Sequence, residues 1–254
     1  MMTVWISLSL VVLAFAFGMA GLYLQRLLPE PHVSDRSRAM IRAIVSLISL
    51  LLALVLGTLV GSAYSFYANQ KSEIETFAAR AIHLDLALAE YGPETAPARA
   101  RMKQQLLEVR EMVWGENAVE AANALAVGEP LPHIRWLDEY VASLDPRTPA
   151  QRQFAAAAAS DLAAVEQTRL LIALQLASSI SWPLVVIVVS WALILFFGYG
   201  VLSRVNATTL TALGLGAFAV GSALFLILQL SQPFTGVFRM SSAAFDEMLA
   251  SLDE

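Results

Sequence analysis

One uncharged stretch constrains this chain more than any other feature. From Ala43 to Gln70 no residue carries a charge at neutral pH. A helix rises about 1.5 Å per residue, so about 20 such residues cross the ~30 Å hydrocarbon core of a bilayer. The stretch therefore predicts a membrane-spanning helix over Ala43 to Tyr67.

The apolar pattern continues beyond this span, with no Pro and no internal Gly before Gly92. Its apolar residues follow one another at alternating steps of three and four, which places them on one stripe of a helix. They are Ile74, Phe77, Ala81, Leu84, Leu88 and Tyr91. We expect one long helix, or two joined end to end, that leaves the membrane and becomes a strut of a soluble domain. The stripe should be buried against a helix over residues 149–178, facing Phe154, Leu162, Val165 and Ile172.

Three further apolar runs predict three further spans. The chain is 57% hydrophobic and only 15% charged, with a mean hydropathy of +0.63, as expected for a polytopic membrane protein. A secretory signal is the rival interpretation of the first run, but no basic side chain precedes it and it is longer than a signal core. The predicted fold is all-α, with four transmembrane helices in two hairpins: residues 1–67 (spans 4–25 and 43–67) and residues 179–230 (spans 180–202 and 207–230).

The 68–178 segment between the two hairpins is predicted to be an inserted helical soluble domain. Gly and Pro residues, which end helices, divide it into helices over about 97–114, 116–126, 132–144 and 149–178. No part of it alternates with period two, so no strand is expected. Residues 231–254 are predicted to form a C-terminal motif, followed by an amphipathic helix over 242–252 with Phe245, Leu249 and Leu252 on one face.

Several function classes are disfavoured by what the sequence lacks. There is no Cys, the three His residues are isolated, and no phosphate-binding, dinucleotide or zinc-protease motif is present. The net charge of −5 disfavours nucleic acid as a partner. We therefore predict neither catalytic residues nor a cofactor nor a metal site. None of the four spans contains Asp, Glu, Lys, Arg or His, which disfavours proton-coupled carriers, ion pumps and intramembrane proteases.

A passive conduit remains possible without intramembrane charge, because a narrow apolar constriction can gate by excluding water. On the second span, Leu52, Leu56 and Val60 follow at i, i+4 and i+8 and would form such a constriction around an oligomer axis. The same spacing is also that of ordinary packing or lipid-facing residues. Small residues that permit close helix approach are Gly57 and Gly61, and Gly221 on the fourth span.

Four segments resemble known families. Val60 to Tyr67 resembles the bacterial bestrophin segment in which a short Asn/Ser-rich stretch precedes paired aromatics, and Leu228 to Gly236 is similar to the acidic-Pro-Phe-Gly motif after the fourth bestrophin span. The segments 84–94 and 191–198 resemble the bestrophin-like family. The matching motif positions are Ser62, Ser65, Phe66, Pro233, Phe234 and Gly236.

The resemblance implies a homopentamer with an axial anion pore lined by the second span, and it places Leu52, Leu56 and Val60 at the neck. This chain departs from bestrophins in two places. Gly61-Ser62-Ala63 stands where bestrophins carry Arg and Asn, and uncharged residues replace the acidic ones before Pro233. The acidic clasp that binds calcium in animal bestrophins therefore has no counterpart, and we predict no calcium gating.

The expected location is the cell membrane, specifically a bacterial inner membrane, with lipid, ions and further copies of the chain as partners. Five basic residues lie in the two short links and four near span ends on the other face, which by the positive-inside rule favours an external soluble domain. The resemblance implies a cytosolic one, and that is our expectation. The alternative function is a non-conducting membrane scaffold or sensor whose soluble helices bind a partner.

Overall fold

The computed structural model describes residues 2–27, 35–115, 135–177, 182–234 and 237–252, and in these residues it contains no strand. The α-helices are α1 Met2–Leu27, α2 Asp35–Tyr91, α3 Ala96–Trp114, α4 Arg135–Ala142, α5 Pro149–Ala177, α6 Trp182–Leu202, α7 Ala207–Leu230 and α8 Ala243–Ser251; a short 3-10 helix, Pro93–Thr95, precedes α3. The chain divides into two compact units. The first comprises Met1–Phe66 with Ile180–Ser231, and the second comprises Tyr67–Ser179 with Gln232–Glu254.

The all-α prediction is confirmed for the described residues, and α1, α2, α6 and α7 are long and apolar enough to cross a membrane. Helix α2 is a single helix of 57 residues. Of the two forms that the sequence allowed, one long helix or two helices joined end to end, the structure has the first. The helix begins at Asp35, so residues 35–42, expected in a polar link, are its first turns instead. The predicted helix over 116–126 lies outside the described residues.

In the first unit, α1 and α6 run parallel and cross at glycines. A side chain added at Gly21 would lie 3.0 Å from the Cα of Gly200, so only the absence of a Cβ lets the two backbones approach this closely. Near the other end of α1, Leu10 lies in a buried cluster with Val185 of α6 and Leu224 of α7. Helix α7 is antiparallel to α1.

The first half of α2 packs antiparallel to α6 in the same unit. The side chain of Val45 lies against Gly198, and the hydroxyls of Ser49 and Tyr199 are hydrogen-bonded at 2.9 Å. The end of α1, the start of α2, the end of α6 and the start of α7 consequently lie at one end of the first unit. We call this the turn end, because it contains the turn between α6 and α7.

The second unit is built around the stripe on the second half of α2, and its predicted burial is confirmed. Leu84 is 1% exposed and Leu88 is completely buried, and both lie in one core with Leu162 and Val165 of α5. The other members of the predicted stripe, Ile74, Phe77, Ala81 and Tyr91, are buried as well. The alternating spacing of three and four therefore identified the correct face of the helix.

The segment after α7 completes this core. The ring of Phe245 on α8 stacks on that of Phe77, with centroids 6.1 Å apart and planes 7° apart, and it also contacts Trp114. Met248 is fully buried beside it. The predicted apolar face of α8 is confirmed, since Leu249 and Leu252 are buried too.

Ion pairs tie these helices together, and two of them involve α3. Arg99 donates to both carboxylate oxygens of Asp85, at 2.8 and 2.6 Å, and Asp85 is only 6% exposed. Arg110 donates to Asp246 at the start of α8. This hydrogen bond from Arg110 is the main reason that the pKa of Asp246 lies below its ordinary value, and a hydrogen bond from the Ser242 hydroxyl adds to the effect.

Candidate functional site

The three predicted neck residues occupy different environments on α2. Leu52 is 5% exposed and belongs to the core of its own unit, together with Val188 and Ala192 of α6. Leu56 is partly buried against the same cluster, and Val60 is partly exposed. A side chain that lines an axial ring has to be open on the surface of its own protomer. Val60 and Leu56 meet this requirement better than Leu52 does.

The opposite side of α2 carries a second apolar row that is exposed throughout. Its members follow at alternating steps of four and three, so they share one face of the helix. Leu50 is 70% exposed, Leu54 is 64% exposed and Tyr64 is 62% exposed. We call this set the open row: Ala43, Leu47, Leu50, Leu54, Gly57, Gly61, Tyr64 and Ala68. The sequence contained its spacing, but not the information that this face is left uncovered.

The two glycines of the open row and the glycine of α7 differ in their surroundings. A Cβ at Gly57 or Gly61 would meet nothing within 4 Å, so no other helix that the structure describes packs at these positions. At Gly221, by contrast, a Cβ would collide with the side chain of Val11 on α1. Gly221 permits packing inside the protomer, whereas close approach at Gly57 and Gly61 requires another molecule and stays a prediction.

The two family motifs lie in different units. Ser62 and Ser65 are exposed and Phe66 is partly buried. Phe234 is 5% exposed and packs edge-on against Trp114, with centroids 5.9 Å apart, while the carbonyl of Pro233 accepts a hydrogen bond from the backbone of Met240. Pro233 and Phe234 thus hold the chain between α7 and α8 in place. Gly236 lies outside the described residues.

The uncharged residue at 229 has a structural role of its own. Gln229 is 1% exposed, and its amide nitrogen donates to the hydroxyl of Thr3 at 2.7 Å. The pair joins the end of α7 to the start of α1. In the part of the chain that the structure describes, no group of three or more His, Cys, Asp or Glu side chains is placed to hold a metal ion.

A groove of about 620 Å³ lies between α2, α6 and α7 in the first unit. Its size falls within the range of roughly 300–1,000 Å³ that is usual for small-molecule sites. The groove is largely apolar, with hydroxyl groups near the turn end. Its lining residues are Ser49, Leu52, Ala53, Leu56, Leu195, Phe196, Tyr199, Ser203, Thr208, Thr209, Ala212, Leu213, Gly216, Ala219 and Val220. The face predicted for the pore neck therefore also forms one wall of this groove.

The crossing of α1 and α6 was missed by sequence reasoning. Gly18 and Gly21 on α1 lie three residues apart, and Gly198 and Gly200 on α6 lie two residues apart. Such small residues are the signal of close helix contact in membranes. The sequence alone did not show that Gly18 and Gly21 meet Gly200, or that Gly198 faces Val45 of α2 instead.

A family model of the bestrophin-like domain matches residues 12–245, nearly the whole chain. The chain belongs to the bestrophin-like family. Comparison with curated proteins and with solved structures gives no match. Membership confirms the resemblance that the motifs carried. Together with the four candidate spans, membership supports a membrane protein, and the family suggests a channel-related function.

Proposed function

We propose that this bestrophin-like protein is an oligomeric passive ion channel, selective for anions and homopentameric as the family implies. The observation that carries the proposal is the 43–70 stretch of α2, which is charge-free and keeps one apolar face uncovered along its length. Several copies of such a helix around an axis form a narrow apolar passage, and such passages control ion flow by excluding water.

Two rows of α2 compete for the axis in this proposal. The first is the predicted neck, Leu52, Leu56 and Val60. The second is the open row, in which Leu50 and Leu54 are more exposed than any of the three neck residues. Burial of Leu52 inside its own protomer supports the open row, whereas the family likeness supports the neck.

Anion flux across the membrane of liposomes that contain the purified protein tests two points: whether the protein conducts, and which of the two rows lines the axis. Leu56→Ser and Leu54→Ser form a matched pair, since each places one hydroxyl on the same helix, two residues apart but on different faces. Replacing a ring-forming leucine by serine widens and wets the constriction and should raise anion flux. An increase with Leu56→Ser alone supports the neck, and an increase with Leu54→Ser alone supports the open row.

The scaffold alternative makes a different prediction for the same experiment. A non-conducting scaffold or sensor gives no flux from the wild type or from either variant while the protein remains assembled. Gly61→Leu provides the assembly control. It should reduce the oligomer mass in detergent if copies of α2 approach one another there, and it should leave the protomer folded because a Cβ at that position meets nothing within 4 Å.

The proposed topology is two membrane hairpins with the second unit between them, and with both termini and that unit on the cytosolic side of the cell membrane. The chain has no native Cys, so single cysteines can report accessibility from each side. Arg147→Cys and Asp253→Cys should react with an impermeant thiol reagent from one face, and Asp35→Cys from the other. Labelling of Asp35→Cys and Arg147→Cys from the same face would refute the two-hairpin arrangement. Reaction of Arg147→Cys in intact cells would place the second unit outside.

A further inference from the structure

The groove between α2, α6 and α7 is graded from polar to apolar along its length. Ser203, Thr208 and Thr209 lie at the turn end, and Ala212, Gly216 and Val220 follow along α7 into the span. Thr208 to Val220 covers about 18 Å of helix at 1.5 Å per residue. One leaflet of a ~30 Å hydrocarbon core is about 15 Å thick. The groove is therefore about one leaflet deep, with its hydroxyl groups near the headgroup level.

Positive charge is concentrated at the turn end. Five arginines belong to the elements that meet there, against two acidic residues, Glu30 and Asp35, in the same stretches of sequence. In the described part of the chain, none of the five guanidinium groups has an ion pair or hydrogen bond to another described residue. They are Arg26, Arg36, Arg38, Arg42 and Arg204. Arg204 directly follows Ser203 of the groove wall, and Arg42 lies two helical turns before Ser49.

We propose that the groove binds an anionic phospholipid. One acyl chain lies along α7 against Ala212 and Gly216, and the phosphate lies at the turn end beside the arginines. Arginine guanidinium groups bind phosphate oxygens with charge-assisted hydrogen bonds, and basic pockets between membrane helices bind lipid headgroups. Deeper in the span, the hydroxyls of Ser49 and Tyr199 need no polar partner from the lipid, because they already bond to each other.

A lipid fits these features better than a second copy of the chain does. The groove contains small residues at Ala212, Gly216 and Ala219, which leave a narrow furrow for an acyl chain rather than a flat surface for a helix. Its polar end coincides with the basic end of the unit, as the amphipathic shape of a phospholipid requires. Occupancy by a neighbouring copy is the competing outcome of the test.

Native mass spectrometry of the full-length protein in detergent provides the test. Phosphatidylglycerol and phosphatidylcholine with identical acyl chains are added in parallel, and the lipid retained on the protein is counted. Ala212→Trp fills the groove. Leu215→Trp adds the same ring three residues further on, at a side chain that is 66% exposed. The paired substitution of Arg42 and Arg204 by Gln removes charge without changing the groove.

The expected result is preferential retention of phosphatidylglycerol by the wild type and by Leu215→Trp, and its loss in Ala212→Trp. The double Gln variant should lower the preference for phosphatidylglycerol roughly tenfold or more, because each basic residue near an anionic headgroup contributes severalfold. Equal retention by Ala212→Trp and wild type would show annular lipid only and overturn the proposal. A smaller oligomer with unchanged lipid would overturn it too, and would assign the groove to a neighbouring copy. Equal binding of both lipids would overturn the headgroup assignment.

Discussion

Replacing Leu84 by alanine tests whether the second half of α2 is the spine of the second unit. Leu84 is 1% exposed and packs in the core that α2 shares with α5 and α8. Truncating a buried leucine removes about 2 kcal/mol of transfer free energy and adds a cavity term, which gives about 3 kcal/mol in a well-packed core. For a domain of this size, each kcal/mol lowers the melting temperature by roughly 2–4 °C, so we expect a decrease of roughly 6–12 °C.

Tryptophan fluorescence during heating in detergent measures this change, because Trp114 and Trp136 both pack against the core. Leu86→Ala is the matched control. It removes the same atoms from the same helix two residues away, but Leu86 is 54% exposed, so we expect a change within about 0.5 kcal/mol. If both variants melt within about 2 °C of each other, which corresponds to about 0.5–1 kcal/mol, Leu84 is not part of a close-packed core.

Three further predictions follow from contacts described above. Asp85→Asn breaks a partly buried ion pair and leaves Arg99 without its carboxylate, so it should reduce the free energy of unfolding in urea by about 1–3 kcal/mol. The lowered pKa of Asp246 in the folded state means that its interaction with Arg110 stabilises the protein above the ordinary aspartate value of 3.8 and is lost as the pH falls through the lower, folded value. Arg110→Gln should therefore be less stable than wild type at pH 7, with the difference disappearing in melts at progressively lower pH. Gly200→Leu should abolish recovery of monodisperse protein by size-exclusion chromatography, because a side chain there collides with the backbone of α1.

Much of the fold could be predicted because its signals are one-dimensional. About 20 consecutive residues that are predominantly apolar and uncharged identify a candidate span. Steps of three and four located the buried stripe of the second unit, because water on the other side of the helix leaves polar residues there. Leu84 and Leu88 were therefore assigned to the core from spacing alone, and the structure buries both.

The candidate site was harder to predict, because lipid removes the contrast on which such patterns depend. In the span, α2 is apolar on every side, so Leu52 and Leu54 look alike in sequence. Only the packing of α6 against one side shows that Leu52 is covered and Leu54 is exposed. The crossing of Gly21 with Gly200 and the turn-end groove likewise depend on contacts between residues far apart in the chain.

The participation of α8 in the second core has a consequence for synthesis of the protein. Phe245 and Met248 complete the packing around Phe77, yet they are translated after both α6 and α7. Roughly 70 residues separate the end of α5 from α8, and at about 5–20 residues per second they take roughly 4–14 s to make. During that interval α6 and α7 are synthesised, while the core between α2, α3 and α5 still lacks the side chains of α8. In chains truncated before Phe245, the apolar core around Phe77 would stay exposed. We expect quality-control proteases to degrade such chains.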